Sequence, residues 1–155
     1  MQGNEKMIAK LNDLLADELT AISQYIVHSE MCANWGYERL HTADEKRAID
    51  EMKHAETLIG RILFLEGIPI VSKLNRMTIG ADVETQHKND LTTEGEAIKS
   101  YNDGIRLATE VGDNGTGEML KAILKDEEIH LDWLEVQRDQ ITQVGIQNYL
   151  VEQIG

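Results

Sequence analysis

The 155-residue chain predicts an all-α fold: a four-helix bundle with a long crossover between helices 2 and 3 and a short C-terminal fifth helix. Three observations carry that expectation. Four long segments place apolar side chains at three- and four-residue steps, the period of a helix with one buried face. A composition with one proline, one phenylalanine and 28% charged residues favours helices over strands. Gly, Pro, Ser and Asn also gather in one stretch, residues 67–82, which divides the helices into two pairs. The length fits a single domain, residues 1–155, able to bury a core of its own.

In the first helix, residues 5–34, Ile8, Leu11, Leu15, Glu18, Ile22, Tyr25 and Ser29 fall on one stripe. Glu18 lies amid the apolar side chains. Unless that face is exposed, its carboxylate must be paired, protonated or bound to metal, because an isolated buried charge is very costly. The turn around Trp35 to Leu40 is short and contains Gly36, so helix 2 packs antiparallel beside helix 1. Helix 2 is expected to start from Thr42 as N-cap, with Glu45 completing a capping box, and to end near Glu66, before Gly67 and Pro69. Ala55, Leu58, Ile62 and Leu65 form its core stripe, and Glu51 and His54 share that face.

The crossover has no helical period. Sixteen extended residues span about 50 Å, against about 38 Å for the preceding helix, so the segment can cross the whole bundle and lay helix 3 parallel to helix 2. Helix 3, residues 83–111, carries Leu91, Glu94, Ile98, Tyr101, Ile105 and Ala108 on one face. The turn GDNGTG closes the second hairpin. Helix 4, residues 118–144, presents Leu120, Ile123, Leu124, Glu127, His130, Leu131, Leu134 and Ile141. Gly145 interrupts it, and residues 146–154 form the short last helix, anchored by Tyr149 and Leu150.

The formal net charge of −13, with no basic stripe to offset it, argues against nucleic-acid or anionic-membrane partners. It suits attraction of metal cations, although a plain acidic surface has the same sign. Cys32 is the only cysteine, which excludes an intrachain disulfide and any multi-cysteine metal site. No apolar run is long enough for a bilayer and MQGNEKMIAK is no signal peptide, so a reducing cytoplasm is expected.

Two Glu-x-x-His motifs stand out, Glu51 to His54 and Glu127 to His130. On a helix the carboxylate and the imidazole of such a motif lie about 60° apart and reach one point. One motif alone is weak in so acidic a chain. These two are related, because Glu51 and Glu127, His54 and His130, Glu18 and Glu94, and Tyr25 and Tyr101 all lie 76 residues apart. The offset makes the two helix hairpins pseudo-equivalent halves. Two lone Glu and two Glu-x-x-His, all facing the core, are the ligand set of a carboxylate-bridged di-iron site in a four-helix bundle. Four carboxylates and one imidazole per metal suit iron or manganese. Tyr25 and Tyr101 lie two turns beyond Glu18 and Glu94, as hydrogen-bond donors to a carboxylate, as oxidisable side chains, or as ordinary core tyrosines.

Met52 falls on a different face of helix 2, with Ile49, Ile59 and Leu63, and Leu19 and Ile26 sit off the Glu18 line on helix 1. A helix apolar on two sides has a second partner. Met52 is therefore either filler in a dimer interface or a thioether ligand to a soft or haem metal.

DEMKHA at Asp50 to Ala55, ILFLEG at Ile62 to Gly67, DEE-x-H at Asp126 to His130 followed by DWLE, and QNYL at Gln147 to Leu150 make the chain resemble the bacterioferritins over nearly its whole length. The resemblance implies a ferritin-like bundle, a hollow homo-oligomeric shell of twenty-four subunits built from dimers, and storage of a ferric mineral made by ferroxidase oxidation of ferrous iron. It implies Glu18, Glu51, His54, Glu94, Glu127 and His130 as catalytic di-iron ligands with Tyr25 beside them. It makes Met52 the ligand to a haem b shared at a two-fold interface, and implies a ferredoxin-type reductant for iron release, with a second ferritin-type subunit as a further partner. One departure is Lys46, where some relatives carry a histidine that forms an inner-surface iron site with the counterpart of Asp50. The alternatives are a non-storing di-iron or di-manganese peroxidase or catalase, and a haem-binding electron carrier. His28, His41 and His87 have no evident partners and are expected to be solvated.

Overall fold

A computed structural model describes residues 1–155. It is all-helical, with α1 (Glu5–Asn34), α2 (Glu38–Phe64), α3 (Val83–Glu110), α4 (Asn114–Val144) and α5 (Ile146–Val151). α1 starts where Asn4 accepts hydrogen bonds from the backbone of Lys6 and Met7. α1 pairs with α2, α3 with α4, and the two hairpins close on a core of Met7, Leu11, Leu14, Leu15, Leu58, Ile62, Leu65 and Leu120. Each fully buried Leu or Met of this kind contributes about 1.5–3 kcal/mol of transfer free energy. No helix is long and apolar enough to cross a membrane.

Four boundaries differ from the sequence expectation. Thr42 caps nothing: α2 begins at Glu38, one turn earlier, after Gly36 turns the chain at φ 84°. The extra turn buries Leu40 against Cys32, Val83, Ile141 and Tyr149, and that packing outweighs the local capping box. At its other end α2 stops at Phe64. Glu66 takes φ 63° and the Gly67 N–H returns to the Ile62 carbonyl at 2.9 Å, a Schellman closure in which the glycine follows the left-handed residue. Gly67 is still required, since a Cβ there would meet Ile8 Cγ2 at 2.7 Å. α4 begins at Asn114 because Asp113 accepts from the Thr116 N–H at 3.1 Å and holds Arg61 at 3.0 Å. α5 ends at Val151, three residues short of the expected end.

The crossover runs along α1 in register. Asn12 bonds the backbone of Ile68 and Ile70, Thr20 accepts from the Asn75 N–H, Gln24 from the Thr78 N–H, and His28 Nε2 from the Gly80 N–H. These residues advance up α1 as the crossover advances. With Tyr25 opposite Glu94 and Tyr101 opposite Glu18, α3 therefore runs antiparallel to α1 and parallel to α2. Gly80 must be glycine, because a Cβ would lie 2.4 Å from the Gln86 nitrogen.

The expectation of solvated histidines is overturned for His28 and His87. His28 is fully buried, and since Nε2 accepts from Gly80, Nδ1 carries the proton given to Asp90 at 3.0 Å. His87 Nε2 lies 3.0 Å from the Tyr149 hydroxyl, which itself donates to Gln137, and burial holds the imidazole pKa down to about 4. His41 is half-buried against Ser29.

Candidate metal centre

Two helices from each half deliver six side chains able to hold metal to the middle of the bundle, all of them buried: Glu18 on α1, Glu51 and His54 on α2, Glu94 on α3, Glu127 and His130 on α4. Their donor atoms form two overlapping sets. Glu18, Glu51, His54 and Glu127 make one, and Glu51, Glu94, Glu127 and His130 the other, each set lying within 4.8 Å. Glu51 and Glu127 belong to both, which is the placement of bridging carboxylates. The two imidazoles stand 6.3 Å apart between centroids.

In four of the six residues, Glu18, Glu94, His54 and His130, the outer atom is hydrogen-bonded and the inner atom is not. Tyr25 donates to Glu94 Oε1 and Tyr101 to Glu18 Oε1, both at 2.5 Å, leaving Glu94 Oε2 and Glu18 Oε2 without a partner. His54 Nε2 is held by Asp126 at 3.0 Å and His130 Nε2 by Asp50 at 3.3 Å, leaving both Nδ1 atoms without one. His54 Nδ1 approaches Glu127 Oε1 to 2.9 Å and His130 Nδ1 approaches Glu51 Oε1 to 3.0 Å, yet neither approach is aligned as a hydrogen bond. Seven buried side-chain polar atoms lack a partner, and six of them are one from each of these residues. Buried polar groups are otherwise almost always paired. An orphan set converging on two points is what a pair of divalent cations satisfies, so the residues present fit a di-iron pair.

The electrostatics agree. Burial raises the carboxyl pKa of Glu18, Glu94 and Glu127, and takes Glu51 up to about 8, with Glu18 adding to the rise. Burial works against a charged His54, but Glu127, Glu18 and Glu51 around it prevail and raise its pKa. The metal-free site therefore holds protons in the places where cations would sit. One buried cation, Arg47, stands nearby, 5.6 Å from the Tyr25 ring centroid and 5.5 Å from that of Trp133.

The second carboxylates were missed in the sequence. Asp50 and Asp126 are themselves 76 residues apart, so the offset that relates the Glu-x-x-His motifs also relates the residues just before them. Each aspartate reaches across to the histidine of the other half. The tyrosines cross in the same way. Met52 lies elsewhere, 44% exposed on a face of α2 with Ile49 and Leu63, and Ile26 and Val27 of α1 are exposed as well. Lys46 stands 3.9 Å from Asp50, as the sequence departure suggested.

Two approaches reach the centre. One opening, lined by Asp17, Gln24, Asn75, Arg76 and Glu96, leads through the crossover to Glu18, Glu51, Glu94 and Glu127. On the opposite side a hollow of about 390 Å³ is lined by Lys46, Arg47, Asp50, Asp126, His130 and Trp133.

A bundle with one long crossover and this donor set defines a ferritin-like protein, and the ferritin-like domain family matches residues 8–144. Over 149 residues, 96% of this chain, it is 38% identical to a bacterioferritin of Mycolicibacterium paratuberculosis, covering 94% of that protein. It is 37% identical to one of Brucella melitensis and 38% identical to one of Rhodobacter capsulatus, covering 92% of each. The chain belongs to the bacterioferritins.

Proposed function

We propose that this chain is an iron-storage ferroxidase, that residues 1–155 form one ferritin-like di-iron domain, and that Glu18, Glu51, His54, Glu94, Glu127 and His130 are its metal ligands. The observation that carries the reading is the coincidence of six orphaned buried donors with the six positions related by the repeat. Ferrous iron is the substrate, and dioxygen or peroxide takes its electrons. Bound here, an iron pair supplies the one-electron steps of that transfer.

The chain's own part is to place donors and manage protons. Glu51 and Glu127, shared by both donor sets, would bridge, Glu18 and Glu94 would each close one metal position, and the histidines would present Nδ1 lone pairs whose direction Asp126 and Asp50 fix through Nε2. Cations displace protons from His54 and Glu51 as they bind. Tyr25, donating to Glu94 and facing Arg47, is the oxidisable side chain nearest a ligand in its half of the site.

The exposed thioether of Met52 in an apolar surround fits a haem b iron shared with a symmetry mate. Assembly as a shell of twenty-four subunits from dimers, a ferredoxin-type reductant and a cytoplasmic setting rest on the family likeness.

Rapid-mixing measurement of ferrous oxidation tests the reading. Glu18→Ala and Glu127→Ala should each slow the fast phase by at least ~100-fold, with particle size unchanged. Oxidation at the parent rate in both variants overturns the assigned centre, and a small oligomer that accumulates no mineral overturns storage.

A further inference from the structure

We propose that Glu30, His41 and Glu45 form a second, mononuclear divalent-metal site, where α1 ends and α2 begins. One carboxylate oxygen from each glutamate and one ring nitrogen of His41 lie within 4.8 Å of one another, the same closeness as in the buried centre. The three come from two helices joined by a short turn, so the site is assembled locally.

The proton on His41 is located by its neighbours. Nδ1 lies 3.1 Å from the Ser29 carbonyl oxygen, which can only accept, so Nδ1 carries the hydrogen. Ser29 Oγ donates to the His41 carbonyl at 3.0 Å and takes a share of the same Nδ1–H at 2.8 Å. Nε2 is thereby left as the second ring position, with no hydrogen-bond partner, 3.8 Å from Glu45 Oε2. Nε2 thus carries the free lone pair on the side of the ring where Glu45 stands, within the three-residue cluster. A backbone carbonyl holding one ring nitrogen while the other faces outward is the arrangement that orients a ligating histidine.

One imidazole with two carboxylates suits a first-row divalent ion such as ferrous iron, zinc or cobalt, with the remaining positions taken by water. Glu45 is 59% exposed, so the ion exchanges freely with solvent. The repeat supports a distinct role. The residues 76 positions on from Glu30, His41 and Glu45 are Arg106, Gly117 and Lys121, so the second half has two cations and no imidazole there. Unlike the central site, this one is not duplicated, and it stands without the ferroxidase reading.

Cobalt(II) titration of the assembled protein, followed by visible absorption and by bound metal per chain after dialysis, tests the proposal. Relative to the parent, His41→Gln should bind one cobalt fewer per chain. Glu45→Gln, at an exposed position that threatens folding least, should weaken that one site about tenfold or more. The same loss must appear when His41→Gln is combined with Glu127→Ala, which separates this site from the buried centre. Equal stoichiometry in parent and His41→Gln, whether because neither holds the extra ion or because both do, overturns the proposal. A protonated imidazolium paired with Glu45 in its place would appear as that result.

Discussion

The two halves of the bundle present matching ligands to the centre and support them unequally. In the α2 half, His54 is held by Asp126 at 3.0 Å, and no cation competes for that aspartate. In the α4 half, His130 is held by Asp50 at 3.3 Å, and Lys46 draws on the same carboxylate from 3.9 Å. The glutamates and tyrosines, by contrast, match to within the same hydrogen-bond length. The two halves thus carry the same candidate donors, while the carboxylates behind the histidines differ in distance and in their neighbours. The consequence is a centre whose His130 side is the more loosely held.

What the halves share sets the largest expected effect. The folded pKa of Glu51, about 8, lies above its ordinary value of 4.5, so the folded metal-free chain holds a proton that the unfolded chain releases. That stabilisation is complete below about pH 4.5 and is lost as the pH rises toward 8. Thermal unfolding of metal-free protein should therefore occur at lower temperature at pH 8 than at pH 5.5, with a shallower decline in Glu51→Gln. A steeper decline in that variant breaks the argument. Bound divalent metal should reverse the trend, since binding then competes with fewer protons.

The next effect separates the halves. Asp126→Asn should weaken cobalt(II) binding at the centre about 10–100-fold, and Asp50→Asn by a smaller factor, because Lys46 already weakens that support. Equal losses would mean that the difference between the two contacts has no energetic content. Tyr25→Phe and Tyr101→Phe should each cost about 1–3 kcal/mol of metal-free stability by orphaning a buried carboxyl oxygen. Their near-equality in denaturant unfolding checks that the tyrosines, unlike the aspartates, remain symmetric. The smallest effect belongs to Lys46→Gln, which should tighten metal binding only slightly by returning Asp50 to His130, and an unchanged or weaker affinity would remove Lys46 from the comparison.

The helices and the six central residues were legible because two signals overlap there. Apolar side chains recur with the helical period, and carboxylates interrupt that stripe at positions related by one offset. The supporting aspartates were equally readable by extending the offset one residue upstream from Glu51 and Glu127. Other features were not readable. Thr20, Gln24 and His28 recur every four residues on α1 as a polar line, and the crossover lying along them, with Asp90 and Thr93 of α3, explains why they are buried. Gln86, His87 and Asp90 on α3 look solvated in sequence because partners of each are on distant segments: Cys32 and Met31, Tyr149, and Gln24 and His28. Thr42 had a local capping motif, and the packing of Leu40, a non-local contact, outweighed it.

The central claim is that the six orphaned donors of the two halves hold two metal ions between them. Anomalous diffraction at the iron edge from crystals soaked anaerobically in ferrous salt tests it most directly. The expected result is two iron peaks per chain, both in contact with Glu51 and Glu127, one also with Glu18 and His54 Nδ1 and the other with Glu94 and His130 Nδ1. Iron bound elsewhere with this cluster empty, or a single peak that leaves either histidine Nδ1 without a metal, would contradict it.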